Sequence, residues 1–188
     1  MNTNFLKHSV AAVALLAASF GAQAGYLGNT VEARAYFPAL PPGSTTGGGP
    51  VNAVVGAGVE FTNGMFTPFF GPSFDFADTT ITITHAATGH SSATFNGYGF
   101  FDVFAGIDDI VGVDILSDST GFFSGDPGRI TFNANTVFVN FQSLNFGANN
   151  PTIVLGVRFD TGRVPEPASL ALVGLALLAA GAASRRAR

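Results

Sequence analysis

Short runs in which apolar and polar residues alternate recur along the middle of the chain. The clearest is Thr79–His85, where Ile81 and Ile83 alternate with threonines. Successive side chains of a strand point to opposite faces, so this alternation predicts a strand with one buried face. Comparable runs predict further strands at 30–37, 58–62, 73–76, 97–104, 110–116, 129–133, 136–141 and 152–160.

The spacing of these runs predicts the fold class. They recur roughly every 10 residues without an amphipathic helical pattern between them, which is typical of antiparallel all-β domains. Asp126-Pro127-Gly128 predicts a turn, and Ala134-Asn135 a hairpin connection. The Pro- and Gly-rich segment 38–50 is interpreted as an exposed loop. We expect an antiparallel β-sandwich, jelly-roll-like, over residues 25–163.

The first 24 residues have the pattern of a secretory signal peptide. Lys7 precedes an apolar run over 10–20, and Ala22 and Ala24 place small residues before Gly25. These are the features that signal peptidase recognises, so cleavage is expected between Ala24 and Gly25.

The last 25 residues, 164–188, combine a short motif, an apolar run and a basic end. Pro165, Glu166 and Pro167 precede the uncharged run 168–184. As a helix this run would be ~25 Å long, near the lower limit for crossing a bilayer core. The end of the chain, 185–188, is basic: topology is set by Arg185, Arg186 and Arg188. By the positive-inside rule these arginines stay in the cytoplasm and the domain lies on the periplasmic side.

This C-terminal segment resembles the PEP-CTERM sorting domain of Gram-negative bacteria. The resemblance is carried by Pro165, Glu166 and Pro167, the apolar run and the arginine cluster. It implies that the chain is a substrate of exosortase, a membrane-embedded transpeptidase found in bacteria that make exopolysaccharide. The three motif residues would then be its recognition site. The expected location is the cell surface or the extracellular matrix, after a transient membrane-anchored stage.

Charge and cysteine content exclude several function classes. Residues 25–163 carry four arginines against eleven carboxylates, a net charge of −7. An acidic domain repels phosphate backbones, so nucleic acid is not an expected partner. The chain has no cysteine, which excludes disulfides, thiol catalysis and Cys-ligated zinc. Twenty phenylalanines must therefore supply much of an apolar core.

Two groups of residues are candidates for metal chemistry. Calcium prefers carboxylate and carbonyl oxygens, and Asp108, Asp109, Asp118 and Asp126, with Asp114 between them, are the weak calcium candidates. Strand-end and turn-capping aspartates are the alternative interpretation. His85 and His90 could begin a zinc site but lack a third ligand nearby, so we interpret them as a solvent-exposed loop pair.

No catalytic motif stands out, and no cofactor is expected. The sequence contains no Gly-x-Ser-x-Gly, His-Glu-x-x-His or P-loop pattern. The first hypothesis is therefore a non-enzymatic surface or matrix protein with a structural or adhesive domain. The alternative is a carbohydrate-binding module for exopolysaccharide, although the chain has no tryptophan and only three tyrosines. A polysaccharide hydrolase is the third hypothesis.

Overall fold

The described part of the chain is built almost entirely from β-strands. The computed structural model describes residues 25–44, 46–67, 71–147 and 150–160, which fall in one compact unit. The strands are β1 Thr30–Phe37, β2 Thr46–Val54, β3 Ser73–Phe76, β4 Thr80–Thr84, β5 Thr88–Gly89, β6 Gly97–Phe101, β7 Ile110–Asp118, β8 Ile130–Asn133, β9 Thr136–Asn140, β10 Asn145–Phe146 and β11 Thr152–Phe159. A 3₁₀ turn at Pro127–Arg129 precedes β8.

The strands form two main sheets and a small third one. The five-stranded sheet has the order β2-β1-β6-β9-β8, and the four-stranded sheet has the order β3-β4-β11-β7. β5 and β10 pair separately. Neighbouring strands are antiparallel throughout. The predicted all-β antiparallel fold class is thus confirmed.

Aromatic rings from both sheets meet in the core. Phe74 and Phe76 of β3 lie edge-on to Phe100 of β6, with ring centroids 4.7 Å and 5.2 Å apart. Ile81 and Ile83 of β4 are fully buried, as the alternation in 79–85 predicts. The two sheets therefore bury their apolar faces against each other, and each fully buried ring contributes roughly 1.5–3 kcal/mol.

A second aromatic group covers the outer face of the five-stranded sheet. Tyr36, Phe95, Phe101 and Phe138 contact one another around Gly99, with centroid distances of 5.7–6.5 Å. A Cβ on Gly99 would lie 2.8 Å from the Phe138 ring. The guanidinium of Arg34 lies 5.4 Å from the centroid of Phe101 and pairs with Glu32.

The structure corrects two of the sequence predictions. Part of the predicted loop 38–50 is the edge strand β2, which pairs with β1 despite Pro50. An edge strand tolerates proline, and the irregular register opposite Ala33 and Ala35 accommodates the extra residues. The predicted strand 58–62 was wrong, since only Phe61 bridges to Phe74.

Gly97 lets β6 and β9 approach closely. A Cβ at this position would lie 1.9 Å from the carbonyl oxygen of Val139, a backbone atom that cannot turn away. Replacing Gly97 by Ala must therefore separate two central strands of the five-stranded sheet.

We expect Gly97→Ala to destabilise the protein by about 1–3 kcal/mol, as overpacking does in other cores. Urea unfolding of the purified protein measures this change. Gly56→Ala is the matched control, because a Cβ on Gly56 meets nothing within 4 Å. Equal stability of the two variants would contradict the proposed backbone contact.

Candidate functional site

A surface cleft lies between the segment after β7, the end of β10 and the start of β11. Its volume is about 480 Å³, within the roughly 300–1,000 Å³ typical of small-molecule sites. It is lined by Ser119, Thr120, Phe122, Asn145, Phe146, Gly147, Asn150, Pro151 and Thr152. None of these side chains is charged, so the cleft offers hydroxyl, amide and aromatic groups to a ligand.

Asp118 fixes the loop that forms one wall of the cleft. Its Oδ1 accepts hydrogen bonds from the backbone N–H and the hydroxyl of Thr120, at 2.9 and 2.5 Å. Its Oδ2 accepts bonds from the N–H groups of Phe123 and Ser124, at 2.8 and 2.9 Å, and from the Ser124 hydroxyl at 3.0 Å. Five donors around one carboxylate tie residues 120–124 to the end of β7.

The same hydrogen bonds keep Asp118 ionised. Burial by itself raises the pKa of the Asp118 carboxyl, but the bonds from Thr120 and Ser124 outweigh it and lower the pKa to about 2. Asp118 therefore remains a hydrogen-bond acceptor for the loop at any pH above that value.

The loop is also bonded to the start of β11. The backbone N–H of Ser119 donates to the carbonyl of Thr152 at 3.0 Å. In return, the N–H of Thr152 donates to the Ser119 hydroxyl oxygen at 2.9 Å. These reciprocal bonds connect two walls of the cleft directly, so its width is set by the packing of β7 beside β11.

Two phenylalanines form the aromatic part of the cleft. Phe122 is 37% exposed and stands edge-on to Phe146, with ring centroids 5.7 Å apart. Phe146 is buried and stacks on His85 at 3.8 Å, with the ring planes only 12° apart. The exposed ring at the surface is thus supported from beneath by a buried aromatic stack.

His85 and His90 form a hydrogen-bonded pair under this stack. Their Nε2 atoms lie 2.8 Å apart, and Nδ1 of His85 lies 2.7 Å from the carbonyl oxygen of Ala86. A carbonyl can only accept, so His85 carries its proton on Nδ1 and accepts at Nε2 from His90. The remaining contact, from His90 Nδ1 to Asn96 Oδ1, is long at 3.4 Å. Two protons satisfy the two short bonds, which corresponds to a neutral pair.

Burial favours this neutral state of the histidines. It lowers the pKa of His85 to about 4, although the bond to Ala86 raises that pKa and the neighbouring His90 lowers it further. Burial also lowers the pKa of His90, with a partial opposing effect from Asn96. His85 is fully buried, so the predicted solvent-exposed loop pair was wrong. Packing against Phe141 and Phe146, which are distant in sequence, buries the pair.

The structure does not bring the calcium candidates together. Asp118 directs both carboxylate oxygens into its own loop, and Asp126 pairs with Arg129 at 3.3 Å. Asp114 pairs with Arg158 at 2.8 Å on the sheet surface. The carbonyl of Asp109 accepts from the N–H of Asp160, and Asp108 lies beside it in the turn before β7. Across the described ranges, no three His, Asp or Glu residues are grouped to hold a metal ion.

The predicted processing residues lie mostly outside the described residues. This applies to Ala22 and Ala24, to Pro165, Glu166 and Pro167, and to Arg185, Arg186 and Arg188. Gly25 is described: its carbonyl accepts from the Asn29 amide at 2.7 Å. A Cβ on Gly25 would lie 2.2 Å from the carbonyl oxygen of Asp78, so glycine permits this approach. Within the described ranges no helix has the length and apolarity needed to span a membrane.

Comparison with known proteins identifies the C-terminal segment. Residues 163–187 match the family described as the PEP-CTERM protein-sorting motif. The chain carries a PEP-CTERM sorting signal. The resemblance seen in the sequence is thereby confirmed, and a PEP-CTERM signal indicates an exported protein that an exosortase processes at a membrane-anchored C-terminus. No curated protein and no solved structure matches the chain significantly.

The PEP-CTERM sorting signal says nothing about the cleft, which the sequence analysis missed. Phe122 and Asn145 are 23 residues apart, and neither lies in a recognisable motif. One signal was available: Asp118-Ser119-Thr120 has the composition of a side-chain-stabilised turn. It predicts a turn, but not the wall of a binding site.

We expect Asp118→Ala to loosen the cleft loop without unfolding the sheets. The amides of Phe123 and Ser124 lose their acceptor, so their hydrogen exchange should become much faster. Asp114→Ala, which removes an exposed ion pair, is the control and should leave these amides protected. Unchanged exchange in Asp118→Ala would show that other contacts hold the loop.

In the unsubstituted protein, the contribution of Asp118 to stability is complete above pH 3.8 and is lost as the pH falls through about 2.

The histidine pair predicts a separate loss of stability in mild acid. The unfolded chain binds protons near pH 6.5, whereas folding lowers the pKa of His85 to about 4 and also lowers the pKa of His90. The stabilisation is therefore complete above pH 6.5 and is lost as the pH falls towards 4, reaching on the order of 1–2 kcal/mol at pH 5. Urea unfolding at pH 7 and pH 5 measures this difference.

His90→Gln is the matched variant for this measurement. Glutamine can still donate to His85 but takes up no proton, so the loss between pH 7 and pH 5 should become smaller. An identical loss in both proteins would assign the acid sensitivity to other groups.

Proposed function

We propose that this chain is an exported, exosortase-sorted protein of the cell surface or extracellular matrix, with a structural or adhesive domain and no catalytic activity. The observation that carries the proposal is the PEP-CTERM signal at residues 163–187. Signal peptidase removes residues 1–24, and the apolar run 168–184 anchors the chain until exosortase acts. The domain then faces the periplasm, with Arg185, Arg186 and Arg188 on the cytoplasmic side.

The proposed structural role is supported by the way the domain is built. Its two sheets bury large aromatic faces against each other, and the chain passes from one sheet to the other after β2, β4, β6, β7 and β9. This connectivity supports our proposal of a jelly-roll-like β-sandwich. Such a domain withstands the extracellular environment without disulfides, which this chain cannot form.

The proposed absence of catalysis is supported by the composition of the cleft. Glycoside hydrolysis uses two carboxyl groups on either side of the scissile bond, and no carboxyl group lines the cleft. The Thr120 hydroxyl donates to Asp118 and accepts from the N–H of Phe122, so it is engaged within the loop.

Carbohydrate binding is a second candidate function, favoured by one observation. The cleft presents an exposed phenylalanine beside uncharged amides and hydroxyls, which are the groups that contact sugar rings and their hydroxyls.

Mass spectrometry of the protein from its native host tests the sorting proposal. We expect a mature form that begins at Gly25 and ends near Pro167. Replacing Pro165, Glu166 and Pro167 together by Ala should leave a membrane-bound chain that retains Arg188. Val59→Ala, on the exposed surface of the domain, is the control and should be processed normally. A native protein that keeps Arg188 would show that the C-terminal segment is a membrane anchor that exosortase does not remove.

A further inference from the structure

We propose that the cleft between β7, β10 and β11 is a binding site for a neutral saccharide segment. The inference rests on the proposed function, because it names a ligand class for a protein placed outside the cell. It is carried by four features of the cleft: its lack of charge, its available amide groups, one exposed aromatic ring and a wall held rigid from within.

The lining of the cleft carries no charge. The domain is strongly acidic, yet every residue that lines the cleft is neutral. Asp118, which directly precedes the lining residue Ser119, directs both oxygens away into its own loop. A cationic ligand would find no ion partner in the cleft, and an anionic ligand would find no arginine. A neutral ligand with many hydroxyl groups matches this lining best.

Two asparagine amides line the cleft. The side chain of Asn145 is exposed and makes no hydrogen bond within the described structure. Its amide can donate and accept at once, the arrangement that two adjacent sugar hydroxyls require. Asn150 supplies a second amide to the lining, from a backbone with φ of 45° that asparagine tolerates.

One aromatic ring of the cleft is exposed. Phe122 is 37% exposed and is held edge-on by Phe146, which itself stacks on His85. An exposed ring supported in this way presents a fixed apolar surface to the C–H face of a pyranose. An extended peptide would instead need unpaired backbone groups to bond with, and the N–H groups of Ser119 and Thr152 already donate to each other's residue.

The loop that forms one wall of the cleft is held by hydrogen bonds to Asp118. Saccharides are flexible and well hydrated, so a site that must first order itself binds them poorly. The five hydrogen bonds to Asp118 order the loop before any ligand arrives. Asp118 is thus a positioning residue, and the calcium candidate of the sequence analysis acquires a different role.

The experiment uses the protein recovered from its host, in detergent if it is still anchored. The probes are linear hexasaccharides of glucose, mannose and galactose, a hexasaccharide of uronic acid and a neutral extended decapeptide. Binding is measured by titration calorimetry. We expect at least one neutral hexasaccharide to bind, and Phe122→Ala and Asn145→Ala each to weaken it by about tenfold or more.

Phe104→Ala is the matched control, because Phe104 is 63% exposed but does not line the cleft. It should bind like the unsubstituted protein. Asn145 makes no bond within the described structure, so Asn145→Ala should not change the melting temperature and separates lost binding from lost folding.

Three results would overturn the proposal: no binding of any neutral hexasaccharide up to about 10 mM, binding that survives both cleft variants, or preference for the uronic acid or the decapeptide. Sorting is scored separately by the ends of the mature chain. A correctly processed protein that binds no saccharide refutes only the cleft proposal, and a saccharide-binding protein that retains Arg188 refutes only the sorting proposal.

Discussion

The contact between the aromatic faces of the two sheets is the interaction on which the rest of the domain depends. Phe74 and Phe76 approach Phe100 across the interior, and the chain has no cysteine with which to reinforce them. Backbone spacing is adjusted to this packing, as the close approach at Gly97 shows. Because paired strands come from distant parts of the chain, the positions of the loops at the sheet edges depend on the packing of the core.

The cleft illustrates this dependence. Two of its walls lie at the ends of β7 and β11, which are neighbouring strands of one sheet. Its aromatic floor is Phe146, which stacks on His85. The polar groups around the cleft are satisfied locally: the partly buried Asp118 by five donors and the histidines by each other and by Ala86. These local networks keep ionisable groups in fixed states, one always charged and the other neutral. The surface they support can therefore be uncharged although the domain as a whole is acidic.

The elements that sequence predicts well here are those set by local patterns. Alternation located Ile81 and Ile83 on a buried face, and Ala134-Asn135 marked the β8–β9 hairpin. β2 was missed because glycine and proline suppress the usual strand pattern, while an edge position makes them acceptable. The cleft and the burial of His85 were missed for another reason: both depend on residues that only the tertiary fold brings together. The sorting signal was recognisable since its information is contained in one contiguous segment.

The position of β11 has a mechanical consequence. β11 is the last strand of the described residues, and it lies between β4 and β7 with a hydrogen-bonded ladder on each side. Tension transmitted along the chain from a C-terminal attachment therefore enters an internal strand at its end. A pull directed along the strand would load both ladders along their length, so that many hydrogen bonds resist together, whereas an edge strand pulled sideways would open one bond at a time. A C-terminal attachment would thus pull on a strand that is hydrogen-bonded on both sides.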